Sequence, residues 1–223
     1  MRTGPGNRIG RLRMEPRAAM DPVSPSPFTD VLRDVTGTLG EHGIPHVVFG
    51  SLALRVLGRA RPGAVEEEED VDLLIRPPDA SAALRALSEA GFAVEETDPR
   101  RRHRATRGGI TVDLVFRTAG DLHLDAEMQD RAVPTPIDGV VAPLIPAEDF
   151  AVMKAVLYEE NRPAEWFDAL ALVSRPDLDW PYLVRRAVSH GAHRILSLLL
   201  YARSSGVAVP DQTVEELTRA VED

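Results

Sequence analysis

Asp70-Val71-Asp72 opens an apolar run, DVDLLI, at residues 70–75. As a strand, it puts both carboxylates on one face and Val71 and Leu73 on the other. Two carboxylates so placed can share one cation. Held ~4 Å apart without one, they repel by about 4 kcal/mol at an effective dielectric near 20. Two settings tolerate this: open water at the start of an edge strand, or a bound divalent cation such as Mg²⁺. A third acid, Asp113, lies inside ITVDLVF at residues 110–116. Alternation gives Ile110, Val112, Leu114 and Phe116 one face and Thr111, Asp113 and Val115 the other. An Asp among apolar residues needs a partner or a solvated sheet face. If its strand lies beside that of Asp70 and Asp72, three carboxylates converge.

The element that would position a ligand against these acids comes earlier. In VVFGSLALRVLG, residues 47–58, a β-branched run ends in Gly50-Ser51 and passes at once into a helical pattern. Packing alone is one reason for so tight a turn. The other is chemical: Gly50 permits close backbone approach, Ser51 offers a hydroxyl, and the helix N-terminus directs free N–H groups at an anion. A strand–Gly-Ser–helix, then a D-x-D strand, then a third acidic strand together describe a triphosphate held between a helix N-terminus and carboxylate-bound Mg²⁺.

The remaining elements follow from periodicity and turn chemistry. Phe28, Val31, Leu32, Val35 and Leu39 fall at helical spacing, with Gly43 closing the helix. His46–Phe49 is a buried strand and Ser51–Leu57 a short helix. Asp79 is the expected N-cap of a helix over ASAALRALSEA that Gly91 closes. FAVEE is a strand, and HRATRGGITVDLVF a hairpin turning on Gly108-Gly109. A short helix over Ala126–Arg131 and a hairpin through Asp138-Gly139 come next. From Pro146 the pattern is helical, with segments starting near Pro146, Pro163, Trp180, Ala192 and Pro210. ILSLLLYA is expected to be the most buried of them. The fold class is α+β: a mixed β-sheet core flanked by helices over residues 26–145, then a C-terminal helical region over 146–223.

Composition narrows the chemistry. The 223 residues include no cysteine, so any metal is held by oxygen or imidazole. The net charge of −9 opposes sequence-blind coating of nucleic acid or an anionic membrane. No apolar run approaches the ~20 residues of a membrane span, so a cytoplasmic protein is expected. Residues 1–25, rich in Gly, Pro and Arg without an apolar stretch, are expected to be a disordered leader, with Met14 or Met20 as alternative starts. Among 25 arginines stands one lysine, Lys154.

The combination VVFGSLAL…DVDLLI…ITVDLVF resembles the nucleotidyltransferase (polymerase β-like) superfamily. LIPAEDFAVMKAVLYEENRPAEWFDALAL is similar to the segment that follows the core in uncharacterised bacterial nucleotidyltransferase-like proteins and abortive-infection type toxins. There, a helix carries a Lys and an acidic pair follows an Arg; Lys154, Glu165 and Asp168 stand at those places. The resemblance spans roughly residues 40–175. It departs in a longer stretch before Asp70, GAVEEEE, where Glu68 shares strand parity with Asp70, and in Glu165, where Asp is commoner.

What the resemblance implies is Mg²⁺-dependent transfer of a nucleoside monophosphate from an NTP to RNA, a protein hydroxyl or a small molecule, releasing pyrophosphate. Asp70, Asp72 and Asp113 are then the metal-binding and catalytic acids, and Lys154 a point charge on the triphosphate. Gly50, Ser51, Lys154 and Asp168 bind nucleotide, Asp168 either orienting Lys154 or pairing with Arg162. A toxin of this kind would have a cognate antitoxin. The alternative is a catalytically inactive module of the same fold that binds a nucleotide or a protein partner.

Other features have plainer readings. Arg100, Arg101, Arg102, Arg104 and Arg107 surround His103. They form either a guide for a phosphate-bearing acceptor or a solvated hairpin rim, and the rim is favoured because no aromatic residues interleave. His190 and His193 lack a third ligand. Trp166, Trp180 and Tyr182 are expected to pack.

Overall fold

The computed structural model describes residues 26–58, 70–159 and 162–222. The expected leader and the acidic stretch with Glu68 lie outside the described residues. The elements are α1 (Pro27–Glu41), β1 (His46–Val48), α2 (Gly50–Leu57), β2 (Asp70–Ile75), α3 (Ala80–Glu89), β3 (Ala93–Asp98), β4 (Arg102–Arg107), β5 (Ile110–Val115), α4 (Ala126–Arg131), β6 (Val133–Ile137), β7 (Val140–Leu144), α5 (Ala147–Leu157), α6 (Pro163–Val173), α7 (Trp180–His190), α8 (Ala192–Ser204) and α9 (Asp211–Glu222).

Ser26 starts α1 by accepting the Thr29 N–H, and Pro27 costs the first turn no bond it would otherwise make. The stripe Val31, Leu32, Val35 and Leu39 is fully buried. Beyond it, one mixed sheet runs in the order β3-β4-β5-β2-β1-β7-β6. β2 pairs antiparallel with β1 and parallel with β5, and β1 is parallel to β7. Gly108 and Gly109, both at positive φ, make the two-residue turn that pairs Arg107 with Ile110. Asp138 and Gly139 do the same between Ile137 and Val140. Val71, Leu73, Val112 and Leu114 face a solvent-free layer, which leaves the opposite face of the two central strands to the acids.

Two local expectations are corrected. Asp79 precedes α3, but its side chain makes no cap bond. It already sits in a helical turn (φ −90°, ψ −7°) rather than the extended conformation a capping side chain needs, and its carboxylate takes the Arg76 Nε at 2.6 Å instead. The most buried of the C-terminal helices is α5, not α8. α5 packs against α6, α7 and α8 and buries Phe150 through Met153 completely or nearly so, whereas Leu200 and Tyr201 on α8 are about half exposed.

A polar joint fixes α5 in place. Asp149, wholly buried, accepts from the Tyr182 hydroxyl and from Arg186 Nε, each at 2.5 Å. Arg186 also reaches Asp125 at the start of α4. A buried carboxylate is tolerable only with such partners. These bonds tie the start of α5 to α7 and α4. Separately, Arg175, just after α6, donates to the carbonyl of Leu57 at the end of α2.

Candidate active site

β2 and β5 are neighbours, and their register sets Asp72 opposite Asp113 and Asp70 opposite Thr111. Exposure falls along this series: Asp70 is exposed, Asp72 half-buried and Asp113 buried. All three belong to one face, yet among the described residues no three acidic or imidazole side chains stand together as a ready metal cage. Asp113 is instead held by arginines. Arg104 lies directly opposite it on β4 and grips it with a fork, Nε to Oδ1 at 2.9 Å and Nη2 to Oδ2 at 3.3 Å. Arg102 adds a longer contact to Oδ2 at 3.4 Å.

Among the described residues Asp72 has no comparable hydrogen-bonded partner. Burial, then the charges of Asp113 and Asp70, push its carboxyl up to about 6, against the pull of Lys154 and Arg102. This is the signature of carboxylates assembled at a cost in repulsion, and a hard divalent cation on oxygen ligands would relieve it. The donor chemistry of Asp70 and Asp72 fits such an ion; Asp113 fits only if its arginines give way.

Gly50 faces the same carboxylate. Its φ is +69°, and a Cβ placed on it would lie 1.9 Å from Asp72 Oδ2. Among the described residues no side chain caps the N-terminus of α2, where a helix presents N–H groups that can take an anion. Lys154 stands in the last turn of α5, where the carbonyl end of a helix favours a cation. Its Nζ lies 2.8 Å from Glu165 and 3.2 Å from Asp168. Asp168 therefore stands beside Lys154, one of its two expected places.

These groups line a cleft of about 520 Å³ whose wall includes Gly50, Asp72, Asp113, Lys154 and Glu165. Ser51, Asp70 and Asp168 are not part of that wall. Arg101, Arg102, Arg117 and Arg162 also line it. The arginine run is solvated, as the rim reading has it, with Arg100, Arg101 and Arg102 exposed, and several of its members also have specific places in the site or the fold. Two line the cleft, Arg104 holds Asp113, and Arg107 pairs with Asp34 on α1 while covering the Phe92 ring. His103, buried, packs on Phe116. Sequence reasoning missed Arg102 and Arg104 as site residues. The signal was available, because a two-residue turn at Gly108-Gly109 that pairs residue 107 with 110 necessarily pairs 104 with 113. His190 bonds the Gly120 carbonyl rather than a metal partner. Among the described residues, no helix is long and apolar enough to cross a membrane.

A mixed sheet carrying D-x-D and a third acid beside a Gly-Ser helix start, with helices behind, defines a nucleotidyltransferase-type fold. The family described as uncharacterised nucleotidyltransferase matches residues 26–204, and the chain belongs to that family. Its general activity is nucleotidyl transfer, for which enzymes of this class use a divalent metal. No curated protein matches the sequence. Among solved structures, the antibiotic-resistance factor ANT(2'')-Ia is 17% identical, with a TM-score of 0.45 over 79% of this chain and 91% of that one. An antigenic nucleotidyltransferase-like protein from Paracoccidioides brasiliensis is 14% identical (TM-score 0.47; 86% and 91% covered). The lincosamide antibiotic adenylyltransferase LnuA, solved with lincomycin bound, is 14% identical (TM-score 0.44; 64% and 94% covered).

Proposed function

We propose that this protein transfers a nucleoside monophosphate from an NTP to an acceptor hydroxyl, on RNA, a protein or a small molecule, with Mg²⁺ as cofactor and pyrophosphate as leaving group. The observation that carries the reading is the pairing of Asp72 with Asp113 across adjacent strands, in one cleft with Gly50 and Lys154. Asp70 and Asp72 would hold Mg²⁺, which supplies charge neutralisation on the phosphates and on the leaving oxygen. Gly50 lets the phosphates approach the N–H groups at the start of α2. Lys154, steadied by Glu165 and Asp168, offers a positive point charge from the opposite wall. Asp113 is placed to take the acceptor proton once it is free of Arg104. The arginines on the cleft wall suit a substrate that carries phosphate.

The hold of Arg104 on Asp113 also favours a second reading, a module that keeps the fold and binds nucleotide or a protein partner without transfer. Thermal unfolding with each NTP, with and without Mg²⁺, on the wild type and Asp72→Asn, tests the site. A ligand at 100 times its Kd adds ~2.7 kcal/mol of stability. A shift needing both NTP and Mg²⁺ and lost in the variant supports the triphosphate site. No shift with any NTP removes it. Incorporation of labelled nucleotide into an acceptor, or its absence with binding intact, then separates enzyme from module. A cytoplasmic location and a toxin paired with an antitoxin belong to the same proposal; inhibition of growth on expression, relieved by a neighbouring gene product, tests the latter.

A further inference from the structure

Asp113 is not a free acid waiting for a cation. Both of its oxygens are engaged by guanidinium groups, and its side chain is only 9% exposed, so these are its principal partners. The contact is built into the hairpin. The Gly108-Gly109 turn sets the β4–β5 register, and that register places Arg104 across from Asp113 whatever the surrounding loops do. A forked Arg–carboxylate pair is among the stronger polar contacts available to a protein. A divalent cation reaching Asp113 would meet two guanidiniums of its own sign. The two arginines differ from their partner in exposure. Their side chains are 36% and 45% exposed for Arg104 and Arg102, and Arg102 already lines the cleft, so both have room to turn toward an anion there.

We propose that Arg104, assisted by Arg102, is a positioning residue that locks Asp113 as its counter-ion and withholds it from a divalent cation until a phosphate-bearing ligand draws the guanidiniums away. The lock makes cation and anion enter together. With the cleft empty, the acids present a two-carboxylate site at Asp70 and Asp72, and cation affinity is low. An anion in the cleft exchanges partners with the arginines and releases the third carboxylate. No covalent step is involved. The inference rests on the reading of Asp70 and Asp72 as a cation site, and its test separates the two.

The test is Mn²⁺ binding without nucleotide, followed by the electron-spin signal of the free ion. It compares the wild type, Arg104→Gln, Arg102→Gln/Arg104→Gln, and Arg104→Gln/Asp113→Asn. Freeing Asp113 is expected to tighten Mn²⁺ binding roughly tenfold or more, the scale on which outer partners tune metal sites. Adding Asp113→Asn should remove the gain. Equal affinity in the wild type and the arginine variants overturns the lock, as does a gain that survives Asp113→Asn. Arg104→Lys keeps the charge and loses the fork, so it should show a smaller gain; if Arg104→Gln does not fold, this variant decides, and an unchanged affinity counts against the lock. Asp72→Asn tests the underlying reading separately. If it leaves wild-type Mn²⁺ binding unchanged while Arg104→Gln still tightens binding through Asp113, the cation site at Asp72 fails and the lock stands.

Discussion

The carboxylate of Asp72 occupies the space that a side chain on residue 50 would need. Gly50 is therefore required twice, once by its positive φ and once by its neighbour across the β1–β2 pair, where Phe49 N–H bonds the Asp72 carbonyl. The turn and the acid form one unit. The glycine does more than shape a loop: it makes room for the side chain that carries the site's charge.

Gly50→Ala should accordingly be destabilising for two separable reasons. The left-handed backbone alone costs about 1–2 kcal/mol for a residue with a Cβ, and the collision with Asp72 adds to it. In urea denaturation, Gly50→Ala/Asp72→Ala should recover the collision part and retain the backbone part. If the double variant is no more stable than Gly50→Ala, the contact between the two residues is not the source of the loss.

The raised carboxyl of Asp72 makes a signed prediction about pH. Its folded value of about 6 exceeds the ordinary 3.8, so the folded protein binds the extra proton between those limits. That contribution to stability is fully present below about pH 4 and is lost as pH rises through about 6. With divalent ions chelated, Asp72→Asn should be more stable than the wild type at pH 8, by roughly 2–3 kcal/mol at 1.36 kcal/mol per pKa unit. The gap should close by about pH 4. A gap that stays constant between pH 4 and pH 8 would show that ionisation of Asp72 does not cause it.

Lys154 is expected to matter to the fold as well as to the ligand. It separates Glu165 and Asp168, both of which are largely buried, and its removal leaves two like charges facing each other. Lys154→Met should cost about 3–5 kcal/mol, the usual consequence of stripping one partner from a buried ion pair. In a Glu165→Gln/Asp168→Asn background the same change should cost much less. Equal costs in the two backgrounds would show that the carboxylates do not depend on the lysine. Nucleotide binding should fall in both.

Local pattern carried much of this molecule. Alternation in DVDLLI and ITVDLVF, the paired glycines of the hairpin and the Asp138-Gly139 turn each determine a strand or a turn from a few adjacent residues, and the structure holds them where expected. The helix starts near Pro163 and Trp180 were equally legible, because proline in the first turn is short-range chemistry. Even the cross-strand match of Arg104 with Asp113 was implicit in the turn, although only the folded sheet makes its consequence plain. Tertiary structure decided what no local pattern contains. That β2 lies beside β5, so that Asp72 meets Asp113, depends on which strands neighbour each other after a crossover. Asp149 shows the same limit: within α5 it is one acid in a helical first turn, and only the approach of Tyr182 and Arg186 from α7 explains how it can be wholly buried. Whether a charge is solvated, paired or poised for a ligand depends on partners distant in the chain, because electrostatic energy is set by separation in space and by the water excluded there.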